Sequence, residues 1–289
     1  MLGAMLTLGS AAALHAQEVT WEDIGPVEGV AERLTLVVGP TASTDTVFVA
    51  GGSTDLRRYP PGGPWSEALH GPALPAVDFV VTKEGYYLAE SIPMDRSTDG
   101  GRTWQRGVYD SNQISCFLQT TLPVFAGAVV ACRRIAALLR SDDGGATWAT
   151  LPITPVSGEG TGSLWDLAEV PVSAALPAGR LLAATSLGVV YSDDGAETWR
   201  TSDLWRLGEV WILARQNDPT HPFGGTVYAS ADAAIVESPP ALWASEDGGA
   251  TWAQRIVFDM PSYGYEGPYP PASVAAGDDG SVWMGLNQL

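Results

Sequence analysis

Ser141-Asp-Asp-Gly-Gly-Ala-Thr-Trp148 recurs in four variants along this 289-residue chain. The other variants are Ser97–Trp104 (STDGGRTW), Ser192–Trp199 (SDDGAETW) and Ser245–Trp252 (SEDGGATW), and the shared pattern is S-x-D-G-[GA]-x-T-W. Successive copies start 44, 51 and 53 residues apart. Four copies at these intervals indicate a structural repeat, and periods of this length are typical of propellers and solenoids.

Each of these eight-residue segments, called boxes below, has the composition of a tight turn followed by a buried aromatic ring. The Asp-Gly pair favours a turn because glycine tolerates positive φ. The Asp carboxylate can accept hydrogen bonds from turn amides, and Ser and Thr can close the loop. The Trp ring can pack against a neighbouring sheet. We therefore expect structural roles for Asp99, Trp104, Asp143, Trp148, Asp194, Trp199, Asp247 and Trp252.

Two short apolar segments precede each box and predict β-strands. The segments nearer the box are Val47–Ala50, Tyr86–Ala89, Val129–Ala131, Leu181–Ala184, Val227–Ala229 and Val282–Gly285. The earlier segments are Leu34–Val38, Val77–Val81, Ile114–Leu118, Trp165–Val170, Val210–Ala214 and Ala272–Ala276. With one short strand before the box and one after it, each repeat has the size of a four-stranded propeller blade. Helical periodicity is sustained nowhere.

Two further segments extend the blade count. Residues 58–65 (RYPPGGPW) end in a Trp that lies 15 residues after Ala50, as Trp104 lies 15 residues after Ala89, so they form a box that has lost its Asp. Trp21 lies 44 residues before Trp65 and fits the fourth strand of an earlier blade. The sequence thus predicts an all-β propeller over residues 17–289, with six blades represented and the last one incomplete. We expect the domain to be truncated at its C-terminus.

The first 16 residues contain no Asp, Glu, Lys or Arg. An apolar run of this length, followed by small residues, predicts part of a signal peptide cleaved before Gln17. A disordered apolar leader is the alternative. A signal peptide places the mature protein outside the bacterial cytoplasm, as a secreted or periplasmic protein.

The two cysteines, Cys116 and Cys132, fall on the predicted first and second strands of one blade. In an oxidising compartment they could pair across these neighbouring strands, and such a disulfide would contribute about 3 kcal/mol on a chain-entropy model. Two buried free thiols are the alternative.

The four boxes resemble the Asp-box, or BNR, repeat of sialidases, sortilin-type receptor domains, xyloglucan-cleaving glycosidases and photosystem II assembly factors. The resemblance implies a propeller in which each box joins the third and fourth strands, away from the ligand-binding face. It is specific for fold and unspecific for function. The aromatic-Arg-Ile-Pro motif of sialidases has no match, because Arg133-Arg134-Ile135-Ala136 lacks the Pro and lies in mid-chain.

Charge and motifs exclude several classes of function. The chain has 33 acidic against 15 basic residues, a net charge of −18. Such a surface repels phosphate backbones and anionic lipids, so we expect neither nucleic-acid binding nor membrane insertion. The chain contains no G-x-S-x-G, H-E-x-x-H, C-x-x-C or P-loop motif. We therefore expect no cofactor, and the box spacing does not match a calcium-binding loop.

Two groups of residues are candidates for a functional site. A glycoside hydrolase needs two carboxylates facing one cleft, and the candidates are Asp78, Asp166 and Glu209, although chance places some acids on first strands in a chain this acidic. Aromatic side chains with an arginine on the loops opposite the boxes suit a glycan or a peptide. This second group consists of Trp165, Trp205, Arg206, Tyr263, Tyr265 and Tyr269.

The sequence therefore favours a secreted or periplasmic, non-catalytic scaffold that binds a protein or carbohydrate ligand through its loops. An extracellular glycoside hydrolase, sialidase-like or xyloglucanase-like, or a fragment of one, is the alternative function. For the aromatic residues, filling of the seams between blades is the alternative role.

Overall fold

A computed structural model describes residues 31–37, 46–51, 55–59, 69–70, 79–82, 87–89, 94–99, 103–109, 114–134, 137–155, 158, 160, 162–232, 241–257 and 273–285. The expected signal peptide, Trp21 and most of the degenerate box at 58–65 lie outside these residues.

The described residues form strands grouped into six sheets, numbered here in chain order. The first sheet contains β1 (Ala31–Val37), β2 (Thr46–Gly51), β3 (Asp55–Tyr59) and β4 (Leu69–His70). The second contains β5 (Phe79–Val81), β6 (Tyr87–Ala89), β7 (Met94–Ser97) and β8 (Gln105–Tyr109). The third contains β9 (Ile114–Gln119), β10 (Val129–Arg133), β11 (Ala137–Ser141) and β12 (Ala149–Pro152).

The remaining sheets continue the pattern. The fourth contains β13 (Leu164–Val170), β14 (Arg180–Thr185), β15 (Gly188–Ser192) and β16 (Arg200–Thr201). The fifth contains β17 (Glu209–Arg215), β18 (Val227–Asp232), β19 (Ala241–Ser245) and β20 (Ala253–Val257), and the sixth contains β21 (Ser273–Ala276) and β22 (Val282–Gly285). A short 3-10 turn at Pro123–Phe125 is the only helical element of the described residues.

The chain is a β-propeller, which confirms the predicted fold class. Each four-stranded sheet is an antiparallel meander whose spatial order follows the chain order. The first strands of successive sheets contact one another from β1 to β21, so the sheets stand side by side around an axis. In the described residues five sheets have four strands, and the sixth has two.

The hydrophobic core lies in the seams between sheets, as β14 demonstrates. Every residue of β14 is buried. Leu181 and Ala183 pack with residues of the third sheet, while Leu182 and Ala184 pack with residues of the fifth. Because side chains alternate along a strand, one apolar run supplies two seams. Because such a strand is covered on both faces, its sequence is continuously apolar and does not alternate with polar residues.

In three boxes the Trp adds a large ring to the seam with the preceding sheet. Trp199 is 1% exposed and packs among residues of the third and fourth sheets. Trp252 is 8% exposed and lies between the fourth and fifth. Trp148 packs against the cluster that joins the second and third, with its ring centroid 6.5 Å from that of Phe117. Burying a ring of this size contributes on the order of 3 kcal/mol.

The polar residues of each box close its turn on the Asp side chain. In the third sheet Asp143 Oδ1 accepts hydrogen bonds from Ser141 Oγ (2.8 Å), the Ala146 amide (3.0 Å) and the Thr147 amide (2.8 Å). Asp143 Oδ2 accepts a bond from Thr147 Oγ1 (2.6 Å). The same Ser, Thr-amide and Thr-hydroxyl bonds recur at Asp99, Asp194 and Asp247.

These hydrogen bonds favour the ionised Asp. Burial opposes ionisation of Asp143, but the bonds from Thr147, Ser141 and the Ala146 amide outweigh burial and lower the pKa of Asp143 to about 2. Equivalent bonds outweigh burial at Asp194 and Asp247 and lower the pKa of each. These three boxes therefore hold their carboxylates charged well below neutral pH.

An arginine of one blade holds the box turn of the next. The Arg180 side chain is buried, and its Nη1 donates to the carbonyl oxygens of Asp247 (3.1 Å) and Gly248 (3.0 Å). Arg180 Nε donates to Asp193 at 2.6 Å. Arg96 Nε likewise donates to the Gly144 carbonyl at 2.7 Å. The carbonyl oxygens of these turns lie outside the strand ladders, and the arginines supply their hydrogen-bond donors. The same bonds connect neighbouring sheets.

We expect Gly249→Ala to lower the free energy of unfolding by about 1–3 kcal/mol. Gly249 has φ +89°, and a Cβ there would lie 2.5 Å from Leu182 Cδ2 in the seam. Gly160→Ala is the control, because a Cβ at Gly160 meets nothing within 4 Å, and it should change stability by less than about 0.5 kcal/mol. Urea unfolding measures both, and equal effects would contradict the packing argument.

Stability should fall as the pH drops from about 4 to about 2. The pKa of Asp143 is lowered in the folded state relative to about 3.9 in the unfolded chain, so its contribution is present above pH 4 and is lost toward pH 2. Asp143→Asn should therefore be less stable than the parent at pH 5, with the difference shrinking near pH 2. Urea midpoints across this range measure the effect.

Asp142→Asn is the matched control for that titration, because Asp142 forms only a surface ion pair with Arg140. We expect it to change stability by no more than about 0.5 kcal/mol at pH 5. A difference between Asp143→Asn and the parent that stays constant from pH 5 to pH 2 would show that the carboxylate charge does not matter.

Candidate functional site

The antiparallel meander sends the loops of each blade to two opposite faces. The boxes lie between third and fourth strands, as 192–199 lies between β15 and β16, and share a face with the loops from first to second strands. We call this the box face. The loops from second to third strands, and from fourth strands to the next blade, emerge on the opposite face, which we call the loop face.

A β-bulge recurs where the first strand leaves the loop face. In β13 the pairing passes from Leu164 directly to Asp166 and leaves Trp165 without a partner residue. In β17 it passes from Val210 to Ile212 and omits Trp211. The same irregularity omits Ser115 in β9 and Glu32 in β1. A bulge re-aims the side chain of the extra residue, and the bulge recurs at the same register position in four blades.

In the fourth and fifth blades the bulge residues form an aromatic pair. The rings of Trp165 and Trp211 stack with centroids 4.6 Å apart and planes 23° from parallel. Trp165 Nε1 donates to Glu209 Oε1 at 2.7 Å, which fixes the orientation of its ring. The guanidinium of Arg134 lies 5.4 Å from the Trp165 ring centroid. We call Trp165 and Trp211 the tryptophan pair; both are half-buried, and Arg134 is exposed.

Asp166 connects the first strands of two blades. One carboxylate oxygen accepts the Leu167 amide at 2.8 Å, and the other accepts the Leu213 amide of β17 at 2.9 Å. Ser115 Oγ makes a comparable link by donating to the Leu164 carbonyl at 2.7 Å. Side chains on one first strand thus bind backbone groups of the next first strand.

Two of the three candidate catalytic carboxylates are therefore engaged by the chain itself. Asp166 accepts two backbone amides, and Glu209 accepts the Trp165 indole. Asp78 lies outside the described residues. Within the described part of the chain, no group of three or more His, Cys, Asp or Glu side chains could hold a metal ion.

The predicted ligand-binding residues divide into three sets. Trp165 lies in the tryptophan pair. Trp205 and Arg206 lie in the loop before β17, where Trp205 packs against the seam of the third and fourth sheets and the Arg206 amide donates to the Leu187 carbonyl at 2.6 Å. The residues outside the described ranges are Tyr263, Tyr265 and Tyr269.

Trp211 was not among the candidates predicted from the sequence, and Arg134, which lies near the same loops as the aromatic candidates, was not paired with Trp165. Trp211 lies 46 residues after Trp165, and each is the residue after the first apolar position of its strand, so the repeat spacing could have paired them. Nothing in the sequence places Arg134 over the ring, because that contact depends on how the turn after β10 approaches the next blade.

Cys116 and Cys132 form a disulfide. They lie directly opposite each other on β9 and β10, with Cα atoms 5.0 Å apart, and both are buried in the seam with the fourth sheet. Of the two alternatives left open above, the structure contains the paired one. No helix in the described ranges is long and apolar enough to cross a membrane.

Comparison with solved structures finds β-propellers. An ancestral GH74 enzyme superposes with a TM-score of 0.63 at 16% identity, over 94% of this chain and 37% of that one. The GH74 xyloglucanase from Xanthomonas campestris gives 0.57 at 18% identity, over 86% of this chain and 40% of that one. YCF48 bound to D1 peptide gives 0.51 at 18% identity, over 84% and 76%.

These likenesses show the propeller fold. The chain spans about two fifths of the length of the two GH74 proteins it resembles. No protein-family model and no curated protein matches the sequence.

Asp166→Asn should lower the free energy of unfolding by about 1–3 kcal/mol, because the amide side chain has one acceptor oxygen and leaves one of the two strand amides without a partner. Asp203→Asn is the control: Asp203 is exposed, and its replacement should cost less than about 0.5 kcal/mol. Urea unfolding at pH 7 compares them. Equal values would mean that the links from Asp166 contribute nothing to stability.

Proposed function

We propose that this chain is a non-catalytic propeller of the Asp-box type, secreted or periplasmic, that binds a protein or a glycan through its loop face. The observation that carries the proposal is the tryptophan pair, since both rings stand at β-bulges on that face. Bulges next to binding sites serve to aim a side chain. Half-buried Trp rings supply much of the binding energy where proteins meet their ligands.

The tryptophan pair is preorganised. Each ring is held by the other, and the bond from Trp165 to Glu209 fixes the first ring before any ligand arrives. Binding energy is then not spent on ordering these side chains. The proposal thus assigns Glu209 a positioning role.

The box face supports the proposal by its construction. Box residues there close turns on Asp143 and its counterparts, and Arg180 joins neighbouring blades. These bonds make the box face rigid. Binding residues commonly lie on loops that a rigid scaffold positions, and here those are the loops of the loop face.

Two features support an exported compartment. A buried disulfide joins Cys116 and Cys132, and disulfides persist in oxidising environments such as the periplasm and the cell exterior. The uncharged segment at residues 1–16 suits a signal peptide. Together they support export from the cytoplasm.

A glycoside hydrolase, or part of one, is the second candidate function. The likeness to GH74 enzymes favours it. Against it, hydrolysis needs two carboxylates that face the substrate, while Asp166 and Glu209 accept hydrogen bonds from the protein. A general acid or base must reach the proton that it transfers.

The binding proposal predicts that Trp211→Ala weakens binding to the best ligand found on glycan and peptide arrays by at least about tenfold, the scale of a central aromatic contact. Trp283→Ala is the matched control, because Trp283 is 36% exposed, lies in β22 beside a box-face turn, and donates to Ser281. It should leave the affinity unchanged within about twofold.

The two functions are separated by assaying xyloglucan and aryl-glycosides with the same preparation. Turnover that is lost in Asp166→Asn or Glu209→Gln would establish the hydrolase and overturn the scaffold. Equal losses of binding in Trp211→Ala and Trp283→Ala would contradict the proposal that the ligand binds to the loop face.

A further inference from the structure

We propose that the ligand of the loop face is a glycan with a carboxylated sugar, a uronate, whose ring packs against the tryptophan pair while Arg134 binds its carboxylate. This inference rests on the proposed function and names the class of ligand. It depends on three side chains from three consecutive blades, Arg134, Trp165 and Trp211, which the first-strand bulges and the turn after β10 bring together.

Arg134 differs from the described arginines that form ion pairs. Arg140, Arg180 and Arg255 pair with Asp142, Asp193 and Glu246 at 2.6–2.9 Å. Among the described residues Arg134 has no carboxylate partner, and its guanidinium lies over the Trp165 ring. In a chain with 33 acidic residues and 15 basic ones, an exposed guanidinium without a carboxylate is open to an anion from outside.

The Trp165 ring prepares that guanidinium for a carboxylate. A guanidinium over an indole face is held by cation–π attraction. Stacking uses the flat face of the group and leaves the N–H donors at its edge, and these match the two oxygens of a carboxylate. Lysine could not reproduce this geometry because its ammonium is a point charge.

The aromatic neighbours favour a sugar over a peptide. A pyranose ring offers apolar C–H groups to the edges of the stacked indoles, and a uronate carries its carboxylate directly on that ring. Packed beside the stack, one rigid unit can therefore meet both the tryptophan pair and a guanidinium 5.4 Å from the Trp165 centroid. An Asp or Glu side chain in a peptide would have to freeze a flexible stem to do so, which costs binding free energy.

The net charge of −18 limits the size of this ligand. Long polyanions are repelled by the whole surface. Contacts at the site act over a few ångströms, while the repulsion is screened beyond about 8 Å at physiological salt. A short oligosaccharide with few carboxylates therefore fits the site better than an extended acidic polymer.

The test uses the full chain with three uronate trisaccharides, of galacturonate, glucuronate and mannuronate, each beside its methyl ester. Calorimetry or a fluorescence titration of the tryptophans gives the affinities at 0.15 M salt. At least one free acid should bind tighter than its ester by about tenfold or more, the worth of one charge-assisted contact. Trp211→Ala should weaken binding of both members of that pair.

Arg134→Ala should remove the preference for the free acid, and its matched control is Arg200→Ala. Arg200 is likewise exposed, but it lies on the outer strand β16. That variant changes the net charge equally and should alter the affinity by less than about twofold. Equal losses in the two arginine variants would mean unspecific attraction and would overturn the proposal.

The remaining outcomes distinguish failure of the uronate proposal from failure of the proposed ligand binding by the loop face. Esters that bind as well as the acids would leave the loop face as a glycan site but refute carboxylate recognition. Failure of all three acids, with tight binding of an acidic peptide that Trp211→Ala abolishes, would replace the sugar by a peptide. Failure of every ligand, here and on the arrays, would overturn both proposals.

Discussion

The structure depends on burying both faces of each blade against its neighbours. A single sheet of four short strands has no core of its own, so the apolar residues that alternate along β14 stabilise the chain only when the third and fifth sheets cover them. The box Trp extends this burial toward the rim, where Trp199 and Trp252 close the seams with the preceding sheets. The hydrogen bonds to Asp fix the conformation of each box turn. The turn in turn sets the direction in which the chain leaves it, and so positions the Trp ring in the seam.

Much of this arrangement could be predicted from the sequence, because it repeats. The strand segments needed only apolar runs at a fixed distance from a box, and 181–184 and 129–131 both lie within observed strands. Side chains that act across blades could not be predicted in the same way. The buried Arg180 donates to carbonyl oxygens of the next box turn. From the sequence alone it is an ordinary charged residue at the start of a strand. Ala196 adopts φ +70° where the other three boxes have glycine, and nothing in the sequence indicates that the seam accepts its methyl group.

The candidate site was predictable in part. Trp165 and Glu209 were identified as separate candidates, one for binding and one for catalysis, and the structure joins them by a hydrogen bond. A bulge changes which neighbours a residue has without changing the apolar pattern around it, so periodicity alone could not identify Trp211 as the partner of Trp165. The carboxylates illustrate the same limit: residue type suggested acid–base chemistry, whereas the geometry engages Asp166 with the backbone of two strands.

The repeated bulge has an evolutionary consequence. Glu32, Ser115, Trp165 and Trp211 occupy one register position in four blades, and this position lies outside the alternating series that fills the seams. A mutation at Trp165 or Trp211 alters a half-buried ring on the loop face, while the alternating residues that fill the seams stay as they were. On the proposed function, substitutions at this one position in successive blades would therefore change ligand preference without repacking the core.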